Sequence, residues 1–299
     1  MWSFQSSGLR ASWPRISAAT MFATVITLFE VAYGVGIFDL TPVPFSLTGV
    51  AIGIFLGFRS KTAYDRFWEG RTLWGALVNT SRTLTRQILT LLVAPENERE
   101  ELKAFQTRVV YHVMAFVNAL RHHLRDTLPW GDIKVFLNDA ELQALHRHRN
   151  VPLALLQLLG QDLAEARQKR WLHDLHVPIL EAAVTDMTNV QGACERIKNT
   201  PVPHLYSVLS HRVVFVFCFC LPLGIVDTVH GYTPFVVFLV AHAFFGLDVL
   251  GSEIEEPFGM DQHDLPLAAL CRTIEVNLRQ LLGETQIPEF LKPVDDVLL

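Results

Sequence analysis

Four stretches of the chain are apolar at nearly every position, and others are apolar only at every third or fourth. The continuous runs cover residues 16–38, 44–58, 213–226 and 234–250, with 23, 15, 14 and 17 residues. A helix crossing a hydrocarbon core of ~30 Å needs about 20 apolar residues, and the first run meets that length. At ~1.5 Å per residue the other three reach only about 21–26 Å, so flanking residues or neighbouring protein must complete them. The periodic stretches lie between the second and third runs. Trp74, Leu77, Leu84, Ile88 and Leu91 fall on one helix face, as do Phe105, Val109, Val113, Phe116 and Leu120. Leu180, Ala183, Met187, Val190, Cys194 and Ile197 recur in steps of three and four, the spacing of a packed helical seam. Pro95, the segment 129–131 and Pro201/Pro203 interrupt these helices. No stretch alternates as a strand. The pattern predicts an all-α membrane protein with four transmembrane helices in two hairpins and a helical cytosolic domain. Its divisions fall at 1–58 (N-terminal segment and first hairpin), 59–211 (cytosolic helices), 212–252 (second hairpin) and 253–299 (acidic segment and C-terminal tail).

Composition agrees. Half of the 299 residues are hydrophobic and 18% are charged, too apolar for an ordinary soluble domain and too charged for one lying wholly in a bilayer. The net charge of −5 makes no case for nucleic acid. Cys194, Cys218, Cys220 and Cys271 form no C-x-x-C pair and read as reduced thiols. The N-terminal apolar run is long and lacks an A-x-A exit, so it reads as a span and not as a cleaved signal. The loops set the orientation. Residues 39–43 and 227–233 contain no Lys or Arg, whereas the opposite ends carry Arg10 and Arg15, then Arg59, Lys61 and Arg66, then Arg196, Lys198 and Arg212. The positive-inside rule puts both hairpin tips outside and both termini in the cytoplasm, as in a multi-pass protein of a cell inner membrane.

The stretch SLTGVAIGIFLGFRSKTAYDRFWEGRTLWG, residues 46–75, begins as a membrane run and continues without a break into a charged helix. Gly49, Gly53 and Gly57 recur every four residues and make one bare stripe, which lets helices approach closely in a membrane. Val50, Ile54 and Phe58 make the adjacent stripe, rotated by about 100°. Ordinary helix packing accounts for such a pattern. In a ring of copies the apolar stripe would instead face the axis and form a hydrophobic constriction that gates by dewetting. The charges that follow pair by spacing, Lys61 with Asp65 and Arg66 with Glu69, and an uninterrupted helix suits a pore wall that continues below the bilayer.

The blocks G-I-F-L-G-F-R and A-Y-D-R-F-W-E-G-R-x-L-W-G resemble the second-helix signature of the bestrophin family, in its bacterial branch. Q-G-x-C-E-R-I-K-N-T-P-x-P (191–203) and E-E-P-F-G-x-D-x-x-D-L-P (255–266) follow in the family's order, and the resemblance covers nearly the whole chain. It implies a homopentameric ion channel in which five second helices line a neck and the cytosolic helices enclose a wide cavity. Carried over by the L-G-F match, the neck rings are Val50, Ile54 and Phe58. The family narrows again at its cytosolic exit, where counting back from Gln191–Gly192 suggests Leu175. Animal members conduct anions, and bacterial members include cation channels.

Glu253, Glu255, Glu256, Asp261 and Asp264 cluster after the fourth span. Hard cations want several oxygens from one bend. The resemblance implies a calcium segment here in animal members, with Asp261 and Asp264 matching its acidic ligands. Glu253 and Glu256 stand where those members have amides, and a solvated acidic rim or helix-end ion pairs are the other reading. A divalent cation held by Glu253, Glu256, Asp261 and Asp264 is thus a candidate ligand, and no cofactor is required. Glu30, His242 and Asp248 lie within apolar runs, where ionisable groups face a protein interior or a water path, or else bond between helices; Asp248 is near enough to the inner end to reach water. His122–His123 and His146/His148 lack zinc-site spacing and read as solvated helix faces. No nucleophile-and-base motif, dinucleotide fingerprint or Walker loop occurs, so nothing argues for an enzyme.

The leading expectation is a passive channel for small inorganic ions. A secondary transporter is the rival of the same class, but the two hairpins repeat each other poorly and the second helix shows no break. A membrane-anchored scaffold would leave the glycine stripe as mere packing. Only Phe58 among the neck positions has an aromatic ring, whose positive edge could favour anions, and the acidic excess enriches cations near the inner mouth. Monovalent cations over chloride is therefore the expected preference, opposed by Arg59 and Arg66 close below the neck unless they pair with Asp65 and Glu69.

Overall fold

In the computed structural model, which describes residues 7–33 and 40–293, every apolar run that is described is helical. The end of the first run, 34–38, and Asp39 of the first hairpin tip lie outside the described residues. The helices are α1 (Ser7–Tyr33), α2 (Pro42–Leu91), α3 (Arg99–Leu124), α4 (Trp130–Ile133), α5 (Asp139–Leu145), α6 (Val151–Gln168), α7 (Val177–Asn199), α8 (His204–Val229), α9 (Thr233–Glu253) and α10 (Leu267–Leu281). Among the described residues the only β pairing is an isolated bridge between Leu92 and Leu172. The chain divides into two compact units, residues 1–67 with 201–257 and residues 68–200 with 258–299.

The first unit contains α1, the first half of α2, and the α8–α9 hairpin. Ser12–Ala32, α2 and the stretch Leu205–Glu253 are long and apolar enough to cross a membrane. The runs that looked too short are completed by flanking residues: α8 has 26 residues and α9 has 21, about 39 and 32 Å of helix. Polar side chains fit because they bond the helix itself. The hydroxyls of Thr20, Thr24 and Thr27 each donate to the carbonyl four residues back. Helix α9 starts with Pro at its first turn, where the missing N–H costs nothing. Ile16, Ala19 and Ala23 of α1 are fully buried with Val214, Cys218 and Leu221 of α8, Val237, Ala241 and Phe245 of α9, and Ile52 and Leu56 of α2. Small residues at α1's contact face let it lie close to α9, as membrane packing requires where apolar burial gives no drive.

The second unit holds residues 68–91 of α2, then α3–α7 and α10. Trp74, Leu77, Leu84 and Ile88 are buried, as are Phe105, Val109, Val113, Phe116 and Leu120 of α3 and the whole seam from Leu180 to Ile197 on α7. Helix α3 packs on α6 and α10, and α6 packs on α7. Gln106 joins α3 to α2 by donating from its Nε2 to the Ile88 carbonyl at 2.9 Å.

Candidate functional site

Residues 46–59 of α2 divide their faces sharply. Ile52 and Leu56 turn inward, while Val50, Ile54 and Phe58 are 64, 56 and 63% exposed in the single chain. The spacing of four puts these three on one stripe, so α2 presents a continuous apolar row that this chain does not cover. The glycine stripe beside it splits. A Cβ at Gly49 would lie 3.1 Å from the Phe217 ring of α8, a close approach that only glycine permits without adjustment. At Gly53 and Gly57 nothing lies within 4 Å. Within the chain, then, only Gly49 serves close packing, and the other two glycines leave room for something outside the chain.

The residue after Phe58 behaves unexpectedly. Arg59 is 2% exposed, and its Nη1 meets Asp248 Oδ1 of α9 at 2.5 Å. The same nitrogen donates to Ser210 Oγ at 2.9 Å, and Nη2 donates to Ser207 Oγ at 3.0 Å and Ser252 Oγ at 2.7 Å. Asp248 is 1% exposed and its other oxygen is bound by His211 Nδ1. Asp248 therefore does not reach water: a buried cation requires a buried anion, and each supplies what the other lacks. Arg59 is turned away from the Phe58 stripe and locks α2 to α8 and α9. Lys61 and Asp65 pair at 2.9 Å as their spacing predicted. Arg66 Nε donates to the Glu255 carbonyl at 3.1 Å, and Glu69 meets Arg196 of α7.

The other ionisable groups in apolar runs take ordinary bonds. Glu30 meets His230 at 3.1 Å, and the His242 ring lies against Trp13 and Phe238. His122 pairs with Asp132, His123 with Glu195, and His146 stacks on Trp130.

The sequence blocks meet in space within the second unit. Glu69 of the first block holds Arg196 of the second. Gly70 lies under the third block: a Cβ there would be 3.1 Å from the Phe258 ring and 3.2 Å from Leu265 Cδ1. Arg125 Nε donates to the Phe258 carbonyl at 3.3 Å. These residues hold the acidic turn in place. Asp264 Oδ2 accepts the Asp261 backbone N–H at 2.7 Å, so this carboxylate closes a turn. Glu253 and Glu256 belong to the first unit and Asp261 and Asp264 to the second. Among the described residues no three His, Cys, Asp or Glu side chains gather as metal ligands. The four cysteines are free thiols; burial pushes Cys194 and Cys271 up to about 12. Leu175 sits in a single turn, Asp174–His176, ahead of α7 and is 76% exposed.

One cluster lay beyond sequence reasoning. His112 of α3 is buried, with Nδ1 2.6 Å from Asp162 Oδ2 of α6 and Nε2 3.2 Å from Glu141 Oε1 of α5. Burial alone would lower its pKa, but the bonds to Asp162 and Glu141 outweigh it and raise the imidazole to about 9. Glu141 also closes a capping box with Asn138. The box is readable as N-D-A-E; its link to His112 is not, because only the fold brings these helices together.

Comparison with known proteins agrees with this architecture. The family described as Bacterial/Fungal Bestrophin protein matches residues 1–280. The voltage-dependent anion channel-forming protein RSc3414 of Ralstonia nicotianae is 39% identical over 250 residues, 83% of this chain and 80% of that one. The voltage-dependent anion channel-forming protein YneE of Escherichia coli K12 is 37% identical over 253 residues, 85% and 81% of the two chains. Crystal structures of a bacterial bestrophin homologue from Klebsiella pneumoniae superpose with a TM-score of 0.82, 33% identity and 91% of this chain against 98% of that one. A single-substitution variant gives 0.86, 33%, and 94% against 100%. With the family matched over almost its whole length, this membrane protein belongs to the bestrophin family of ion channels.

Proposed function

We propose that five copies of the chain form a channel for small monovalent ions, with Val50, Ile54 and Phe58 as three stacked apolar rings of its neck. The observation that carries this reading is the uncovered apolar row on α2 beside Gly53 and Gly57. The glycines admit a neighbouring copy's helix, and that neighbour turns the row toward an axis. Such a row also suits contact with lipid tails, which is why conduction is the deciding measurement. A narrow apolar ring strips water from a passing ion and closes by dewetting, and modest widening reopens it. Leu175 is the candidate for a second ring at the exit toward the cytoplasm, where this reading also puts both termini in a cell inner membrane. The acidic turn needs no divalent ion in this scheme.

Cations are favoured over chloride. Arg59, the cation nearest the neck, spends its charge on Asp248, and Lys61 is paired with Asp65, so little free positive charge borders the rings. A second reading, chloride conduction, is favoured by the anion-channel names of the relatives. Planar-bilayer recording of the purified oligomer in asymmetric NaCl separates them. A reversal potential near the sodium equilibrium value supports the first reading, and one near the chloride value gives the second. A folded oligomer that yields no unitary current defeats both.

A further inference from the structure

Two guanidiniums without an ion-pair partner among the described residues share one cavity in the membrane unit. Arg15 comes from α1 and Arg212 from α8, and both are exposed. With His211, Phe215, Val216 and Phe245 they line a cavity of about 400 Å³. His211 is already committed to Asp248, whose other oxygen holds Arg59. The nearby carboxylate is therefore neutralised, and the charge left at the cavity is that of the two arginines.

A second cavity, about 340 Å³, begins at the same Arg212 and Val216. It follows α2 and α8 past Phe45, Ile52, Phe217 and Cys220. From Arg212 to Cys220 the α8 axis advances about 12 Å. Two largely apolar cavities thus share Arg212 and Val216, and the arginines stand at the cationic end of the pair. An unpaired guanidinium at the end of a membrane span attracts anions, and arginine grips phosphate oxygens two at a time. Basic pockets between membrane helices suit anionic headgroups in this way.

We propose that Arg15 and Arg212 bind the phosphate of an anionic phospholipid whose two acyl chains lie in the two cavities. A zwitterionic lipid fits less well, because its own cation offsets the phosphate that the arginines seek. The site requires only that this unit sits in a bilayer, and it stands or falls apart from conduction.

Native mass spectrometry of the purified full-length protein in mild detergent tests it. Phosphatidylglycerol should be retained roughly tenfold better than phosphatidylcholine with the same chains. Arg15→Gln/Arg212→Gln should abolish that preference, and Arg15→Lys/Arg212→Lys should keep part of it. Glycerol 3-phosphate, a headgroup without chains, should neither bind measurably nor displace the lipid. Equal retention of the two lipids overturns the proposal, as does a preference that survives the glutamine pair. Displacement by glycerol 3-phosphate would make this a plain phosphate site. An intact oligomer carrying no phosphatidylglycerol would mean that a second copy fills the cavities.

Discussion

Removing a guanidinium from water costs several kcal/mol, and Arg59 is removed almost completely. Its partner Asp248 is just as buried, so losing either one strands the other. Arg59→Ala or Asp248→Asn should each destabilise the chain by about 3–5 kcal/mol. The double variant Arg59→Leu/Asp248→Leu should recover most of that loss. Thermal unfolding in detergent measures the cycle, and additive single effects would show that the pair is not coupled. Phe58, one residue earlier, makes the opposite prediction. Val50, Ile54 and Phe58 touch little of their own chain, so Val50→Ala/Ile54→Ala/Phe58→Ala should leave the fold intact while widening and wetting the neck. Open probability or unitary current should rise, and a folded triple variant that conducts like the parent would move the gate elsewhere. Spacing in the sequence was enough to place these three on one stripe. Nothing in it marked Asp248 as the partner of Arg59, because the two are far apart in the chain and meet only once α9 folds beside α2.

Three helices of the second unit are tied by His112. Asp162 faces it from α6 and Glu141 from α5, while Arg108 of its own helix holds Asp162 at 3.2 Å and Glu165 at 2.5 Å. The imidazolium is the form these carboxylates select. Its pKa stands above the unfolded value near 6.5, at about 9. The stabilisation it gives is therefore fully present below pH 6.5 and is lost as pH rises through 9. Melting temperature should fall between pH 7 and 9.5, and His112→Gln should flatten that fall; an unchanged slope in the variant would assign the pH response to other groups. The helices themselves were legible from periodicity, since every apolar face read on α3 and α7 is buried. The true lengths of α8 and α9 were not, because hydropathy stops at the first polar residue. A helix does not stop there if residues such as Ser207 and Ser210 can satisfy their polar atoms locally or on a neighbour.

An apolar row left open by one chain is a reason to assemble. The protein purified in mild detergent should have a native mass of five copies of 33.8 kDa, and a monomer or dimer that still conducts would defeat the axial neck. The number five came from the family resemblance alone; the stripe asks for neighbours without counting them. If the proposed pore forms, the buried pair of Arg59 and Asp248 also limits how it could respond to membrane potential. One elementary charge carried across the full field does about 2.3 kcal/mol of electrical work per 100 mV. A cation and an anion that move together do none. While α2, α8 and α9 stay joined through that pair, a rearrangement at the neck transports no charge by way of Arg59, despite its place at the end of a membrane span. Steep voltage dependence would then have to draw on ions inside the pore or on charges outside this triad of helices.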